Sequence, residues 1–452
     1  MLVCPSGVDV SSSVLRFLTQ QLRRHRRTIG SRWRRLSAGR QALLTLAHLR
    51  VGHTYAQLAA GSGVGITTAF RYVSEAVELP AALTPSLADA VGFLMRPLGG
   101  IVFGRVADRH GRKFVLVTTM LMMAGGSLVI GLMPTYASLG SWASLILLLA
   151  RMTQGFAHGG ESATANTYVA EIAPSERRGL WGSIVFVAIF GGSAIAFSVG
   201  GVVTSVLSDD EVAQWGWRIP FVLGAFLALA ALYLRRGMDE SEVFSDERSG
   251  AEVRPSPKGQ VARSILLVIL MTSGITAAHY TWTSYVSTYA ITQKGMEAGV
   301  AYWCSVGAQC VALVTLPLWG RLSDRVGRRP MMITFAVLMI ALQIPLTGLI
   351  GSPGWTLLVA SSVALTVVAI PGALPSATMS ENFPTRVRTQ AIGFAYSVSV
   401  AVFGGSAPYL NQLFIELGAA RLSSFSIMLL CAFTGIACYL MRETKGIHLK
   451  DA

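Results

Sequence analysis

The segment ARMTQGFAHGGE, residues 150–161, sets four polar side chains into an otherwise apolar run. Arg151, Gln154, His158 and Glu161 are spaced three and four residues apart, so a helix carries them on one face. An arginine at bilayer depth costs roughly 2.5–3.5 kcal/mol on insertion scales and therefore faces a partner or a cavity. A polar stripe directed into the protein is expected. A second stripe, HYTWTSY at 279–285, places His279, Trp282 and Tyr289 on one face with Tyr285 about a turn away, an aromatic and polar lining that suits a wet substrate cavity. Gln309 and Tyr396 are further candidates, either for that cavity or as interhelical hydrogen bonders. A third pattern, GRVADRHGRK at 104–113, recurs as GRLSDRVGRR at 320–329. In each copy an acid, Asp108 or Asp324, can accept hydrogen bonds from a helix N-terminus or from Arg112 or Arg328. Charge-assisted bonds of this kind are stronger than neutral ones and suit a latch. Gly104 and Gly320 allow close helix approach, and Arg109 and Arg325 complete the pattern.

The elements that position these residues are membrane helices. Only 13% of the 452 residues are charged and 52% are hydrophobic, with a mean hydropathy of +0.54, against about 25% charged in soluble domains. Apolar stretches near 20 residues long predict spans at 87–104, 113–133, 141–166, 179–207, 218–235, 263–290, 297–320, 331–350, 354–379, 388–415 and 421–441. The first is the shortest and carries Arg96 and Pro97. The fold expected is all-α and polytopic. Basic loops at 105–113, 174–178, 235–263, 321–329 and 384–388 alternate with uncharged or acidic ones, which predicts that the basic side and the C-terminus are cytoplasmic. Besides the decapeptide, EIAPSERRG (171–179) recurs more loosely as ENFPTRVRT (381–389). Parallel repeats of this sort mark a transporter of two related bundles with its substrate site between them. The expected organisation is a basic segment 1–85, a first bundle 86–235, a linker 236–262, a second bundle 263–441 and a tail 442–452. Cys304, Cys310, Cys431 and Cys438 lie in apolar helices without metal or redox spacing, so no metal is expected.

The repeated decapeptide is similar to the loop motif of the major facilitator superfamily. GFLMRPLGG (92–100), ARMTQGFAHGGE, PTRVR with FAYSVSVAVFGGSAPY (384–409) and the RETKG ending resemble its metabolite:proton symporter branch. The resemblance covers about 91–447. It implies a non-enzymatic, cofactor-free secondary transporter in the cytoplasmic membrane, carrying a small organic acid or zwitterion with protons. The implied partners are that small molecule, protons and the lipid bilayer, with no nucleic acid, and a monomer is expected. In the resembled family the decapeptide loop steadies one of two alternating states. Arg151 would bind an anionic group or tune a carboxylate, with Glu161 the available one. FGGSAIAFSVGG (190–201) lacks the Gly-Pro pair of antiporter relatives, which points to symport.

The family has twelve helices, and the first has no counterpart before residue 86. Residues 1–74 hold eleven arginines and one acid, giving +10 of the net +14. Residues 39–79 resemble the helix-turn-helix segment of insertion-sequence transposases and read as three short helices: Arg40–Arg50, then Thr54–Ala60 capped by Thr54, then a third after Gly65 with Phe70, Val73 and Val77 on one face. The expectation is eleven spans and impaired transport. The alternative is a membrane-tethered DNA-binding regulator acting through residues 39–79.

Overall fold

The computed structural model describes residues 34–51, 55–235, 258–384 and 387–447, with scattered positions between 15 and 26. All regular structure among the described residues is helical. The chain divides into two compact units, Met1–Ala88 and Asp89–Ala452.

In the first unit, α1 (Ala38–Val51), α2 (Tyr55–Ser62) and the opening turns of α3 (Ile66–His110) are built around Leu44, Leu58, Val64, Ala69 and Tyr72. Gly63, at φ 65°, reverses the chain between α2 and α3 in a left-handed conformation that glycine adopts without strain. Gln41 is buried and donates from Nε2 to the Tyr72 carbonyl at 3.0 Å. The inward face of the third helix differs from expectation. Ala69, Tyr72 and Val73 turn inward, whereas Phe70 is 50% exposed, because the Gly63 turn sets the rotation of α3. The Thr54 cap and the Val77 side chain lie outside the described residues.

In the second unit α3 continues from Asp89 to His110. After it come α4 (Arg112–Leu132), α5 (Ser141–Ile172), α6 (Arg178–Val206), α7 (Ile219–Arg235), α8 (Lys258–Tyr280), α9 (Val286–Lys294), α10 (Ala298–Val326), α11 (Arg328–Leu349), α12 (Gly354–Gly372), α13 (Pro375–Ser380), α14 (Arg388–Ser399), α15 (Ala407–Glu416) and α16 (Ala420–Leu440). Single π-helical turns, Thr281–Tyr285 and Val400–Gly404, join α8 to α9 and α14 to α15. Ten stretches among the described residues are long and apolar enough to cross a membrane. Helix α5, at 32 residues, is long enough but falls outside that set because Arg151, Glu161 and Glu171 interrupt its apolarity. It packs against α4 on one side and against α13 and α14 on another.

The decapeptides, expected as loops, are helical almost throughout. Only Gly111 (φ 103°) and Gly327 (φ 115°) break the helix, each in a conformation open to glycine alone. The reason is local: Asp and the Arg that follows the glycine sit four residues apart across that break and hold its two sides together, at 3.5 Å for Asp108–Arg112 and 2.8 Å for Asp324–Arg328.

Helix α3 packs through glycines on two faces. Gly92 and Gly99 abut Gly155 and Phe156 of α5, and Gly100 and Gly104 abut Gly393 and Gln390 of α14. Backbones at such contacts leave no room for a Cβ, the geometry of small-residue packing in membranes. Gly159 presses on the backbone of Arg96 in the same way. Gly159→Val should therefore force the two helices apart and cost about 1–3 kcal/mol by overpacking. Its thermal midpoint in detergent should fall, and an unchanged midpoint would refute the contact.

Candidate functional site

Two related charge clusters form where the repeated motifs meet the opposite bundle. In the first, Asp108 Oδ2 accepts from the backbone N–H of Gln390, in the first turn of α14, at 3.0 Å. Arg112 Nη2 donates to Glu171 at 2.9 Å, and Arg388 Nη1 stands 3.6 Å from the same oxygen. In the second, Asp324 accepts from the N–H groups of Gly179 and Leu180, in the first turn of α6, at 2.8 and 2.9 Å. Arg178 Nη1 donates to Glu381 at 2.8 Å, with Arg328 Nη2 at 3.7 Å. Helix N-termini favour negative charge, so each aspartate ties its own helix to the start of a helix in the other bundle. The side chains of Glu171, Glu381, Arg112, Arg328, Arg178 and Arg388 are all at most 4% exposed. Gly104 and Gly320 supply the close approach: a Cβ at Gly104 would strike Gln390, and one at Gly320 would strike Gly179 and Leu180.

Deeper along α3, Arg96 spans the two bundles. Its Nη1 donates to the Tyr280 hydroxyl at 2.8 Å, and its guanidinium lies over the Phe93 ring at 3.9 Å. The Nε is buried without a partner, and no carboxylate pairs with Arg96 among the described residues. His279 rests edge-on against Tyr280, Phe186 and Phe190, with ring centroids 5.3–6.0 Å away. Gly159 of α5 abuts the Arg96 backbone, so the neighbouring His158 lies at the same level of the helix pair. His158 lies 3.3 Å from Ser162 Oγ. The cluster can hold an anion at Arg96 and offers an imidazole and a phenol beside it.

The sequence model of the Major Facilitator Superfamily matches residues 58–408 and 295–451. The chain belongs to the major facilitator superfamily. It is 37% identical over 367 residues to the alpha-ketoglutarate permease of Escherichia coli, covering 80% of this chain and 84% of that one. It is 35% identical over 384 residues to the ectoine/proline transporter ProP of Corynebacterium glutamicum, covering 79% and 75%. Among solved structures, the proton:xylose symporter XylE superposes with a TM-score of 0.66 at 16% identity, over 98% of this chain and 99% of that one. The fucose:proton symporter FucP of E. coli gives 0.55 at 16%, over 80% and 98%. This major facilitator chain is thus a multi-pass membrane protein and a secondary transporter of small metabolites.

Several positions in this transporter differ from the sequence expectation. Arg151 has a carboxylate partner, as a charge at bilayer depth requires, but it is only half-buried. Its Nε pairs with Asp89 at 3.0 Å, with side chains 31% and 50% exposed, and its Nη1 donates to Gln154, which in turn donates to Ser127. Arg151 therefore belongs to a half-open ion pair, while Gln154 is buried and His158 and Glu161 are half-buried. The 279–289 stripe also splits, because the π turn advances each residue less than an α-helix does and so rotates α9 relative to α8. His279 joins the Arg96 cluster. Trp282 is buried and donates to Gln343 at 3.0 Å. Trp282, Tyr285 and Tyr289 line a separate cavity of about 430 Å³ within the second bundle, with Thr281, Thr347 and Ser424. Gln309 is fully buried on α10, and neither end of its amide has a partner. Arg109 and Arg325, expected within the latch, are exposed and form no ion pair among the described residues, since each follows its aspartate by one residue and so projects about 100° round the helix from it. Cys310 is exposed, unlike the other three helical cysteines.

Sequence reasoning missed Arg96, Tyr280, Glu171, Glu381, Arg178 and Arg388. The signals were present. Arg96 interrupts an apolar span, and the other four charges are the matched acid and arginine of the second repeat, EIAPSERRG and ENFPTRVRT.

Proposed function

We propose that this transporter carries a small carboxylate-bearing solute, an organic anion or a zwitterion, in symport with protons, and that Arg96 is the group that holds the carboxylate. The observation that carries this reading is the uncompensated guanidinium: a cation within a membrane helix, satisfied by one phenol and one aromatic face, favours an anionic ligand. The permease and the ectoine/proline transporter are named for solutes of that class. Tyr280, Tyr396 and His279 supply polar and aromatic walls, Gln309 a free amide, and His158 and Glu161 the groups able to take up a proton. Arg151 with Asp89 and Gln154 closes or steers at the mouth of the same helix pair. The cavity of Trp282 and Tyr285 is a secondary contact region of the second bundle. Asp108 and Asp324, with Gly104, Gly320, Arg112 and Arg328, latch the end bearing the basic motifs, and the close helix approach there describes a state shut on that side. That side, with the C-terminus, is cytoplasmic by the charge rule.

The test is uptake into proteoliposomes of labelled 2-oxoglutarate, proline and glycine betaine, with and without an imposed inward proton gradient. Accumulation of at least one solute that rises with the gradient and collapses with a protonophore is expected. Uptake indifferent to the gradient would remove the proton from the reading, and failure of all three carboxylates while a neutral sugar enters would remove the anion.

A further inference from the structure

The arginines of the second decapeptide divide between the end of α10, which carries Arg321 and Arg325, and the start of α11, which carries Arg328. Arg328 and Asp324 turn inward to the latch, whereas Arg321 and Arg325 point outward. The same outward face carries Val311, Val314, Leu318 and Leu322, between 38% and 69% exposed, so an apolar stripe leads straight to the arginine pair. Thr315, Leu318, Trp319, Arg321, Leu322 and Arg325 line a groove at that end. The indole Nε1 of Trp319 is buried there without an acceptor.

The acids near these cations are already engaged. Asp324 is bound to α6 and Arg328, Glu381 to Arg178 and Thr444, and Glu443 to the N–H groups of Arg328 and Arg329. A third cation approaches instead, Lys445 Nζ lying 2.6 Å from the Arg325 carbonyl. Like charges four residues apart on a helix repel one another, so an anion beside the pair relieves it. Because α10 crosses a bilayer, a stripe for acyl chains ending in basic side chains and an N–H donor fits a phosphodiester at the interface. We infer that the outer face of α10 binds the headgroup of an anionic phospholipid through Arg321, Arg325 and Trp319. Arg105 and Arg109 form the equivalent pair on α3, but a buried phenylalanine, Phe103, stands where Trp319 would be, so that pair lacks the third donor.

The test is native mass spectrometry of the full chain in detergent, titrated with phosphatidylglycerol and, separately, with phosphatidylcholine of the same acyl chains. Basic side chains near a membrane surface contribute about five-fold each, so roughly 30-fold preference for phosphatidylglycerol is expected, lost in Arg321→Ala/Arg325→Ala. Trp319→Phe, which removes only the N–H donor, should lose part of it. Arg105→Ala/Arg109→Ala should lose less than the α10 pair. Equal affinity for the two lipids, or equal loss from both arginine pairs, would overturn the site. So would displacement of the lipid by millimolar inorganic phosphate, which would identify a site for a free anion.

Discussion

Arg96→Gln is expected to abolish solute binding while leaving the protein folded. Glutamine keeps a donor for the Tyr280 hydroxyl but removes the charge, so the loss falls on the anionic ligand rather than on the helix. Truncating one partner of a desolvated charged contact costs about 2–5 kcal/mol, or roughly 30-fold to several thousand-fold in affinity. Arg96→Lys should fall between, because lysine supplies the charge without the planar fork that grips a carboxylate or the flat face that stacks on Phe93. The measurement is binding of the transported solute by calorimetry or tryptophan fluorescence, with thermal midpoints run in parallel. Wild-type affinity in Arg96→Gln would show that the guanidinium only braces α3 against Tyr280. Arg151→Gln provides the contrast: its charge is already met by Asp89 in a half-exposed pair, so a smaller loss in binding is expected there.

Glu381→Ala should destabilise the protein more than any surface substitution. Glu381 is buried and takes charge from Arg178 and Arg328 as well as a hydroxyl from Thr444. Its removal leaves the Arg178 guanidinium, with almost no access to water, without a carboxylate and leaves Arg328 with Asp324 alone, a defect that costs about 3–5 kcal/mol. Glu171→Ala, which removes the carboxylate shared by Arg112 and Arg388, should behave alike. A different result is expected for Asp324→Ala. Asp324 spends its charge on the N–H groups of Gly179 and Leu180 across the bundles, so removing it opens the latched end rather than only weakening the fold. Each hydrogen bond to a charged group contributes about 1.5–3 kcal/mol. Each bond lost is enough to move the population of states by about one to two decades. Hydrogen exchange in the first turns of α6 and α14 reads both effects. Asp324→Ala should speed exchange at Gly179 and Leu180, and Asp108→Ala at Gln390. Unchanged exchange there would mean that the aspartates do not hold the bundles together.

The class of protein was legible in the chain because it depends on composition and period. Apolar stretches long enough to cross a bilayer, basic segments at alternate ends and a repeated decapeptide are all one-dimensional signals, and the helices lie close to where hydropathy puts them. The motif aspartates could be read in advance as acceptors for a helix N-terminus or for Arg112 and Arg328 for the same reason: an acid, a glycine and an arginine at fixed spacing admit few uses.

What the sequence left open was every contact between helices far apart in the chain. Arg151 stood out as a charge in need of a partner or a cavity and Arg96 only as an interruption of a short span, since hydropathy prices a charge without knowing its neighbours. The tertiary structure supplies both partners, a half-exposed carboxylate, Asp89, for Arg151 and a phenol from the opposite bundle for Arg96. It also separates His279 from Trp282, because a π turn changes the angular step at a place no periodicity rule anticipates. The chain alone determined which residues are charged and how far apart they lie along a helix. Only packing decided which charges are answered, because a charge is answered by whichever helix comes to lie beside it.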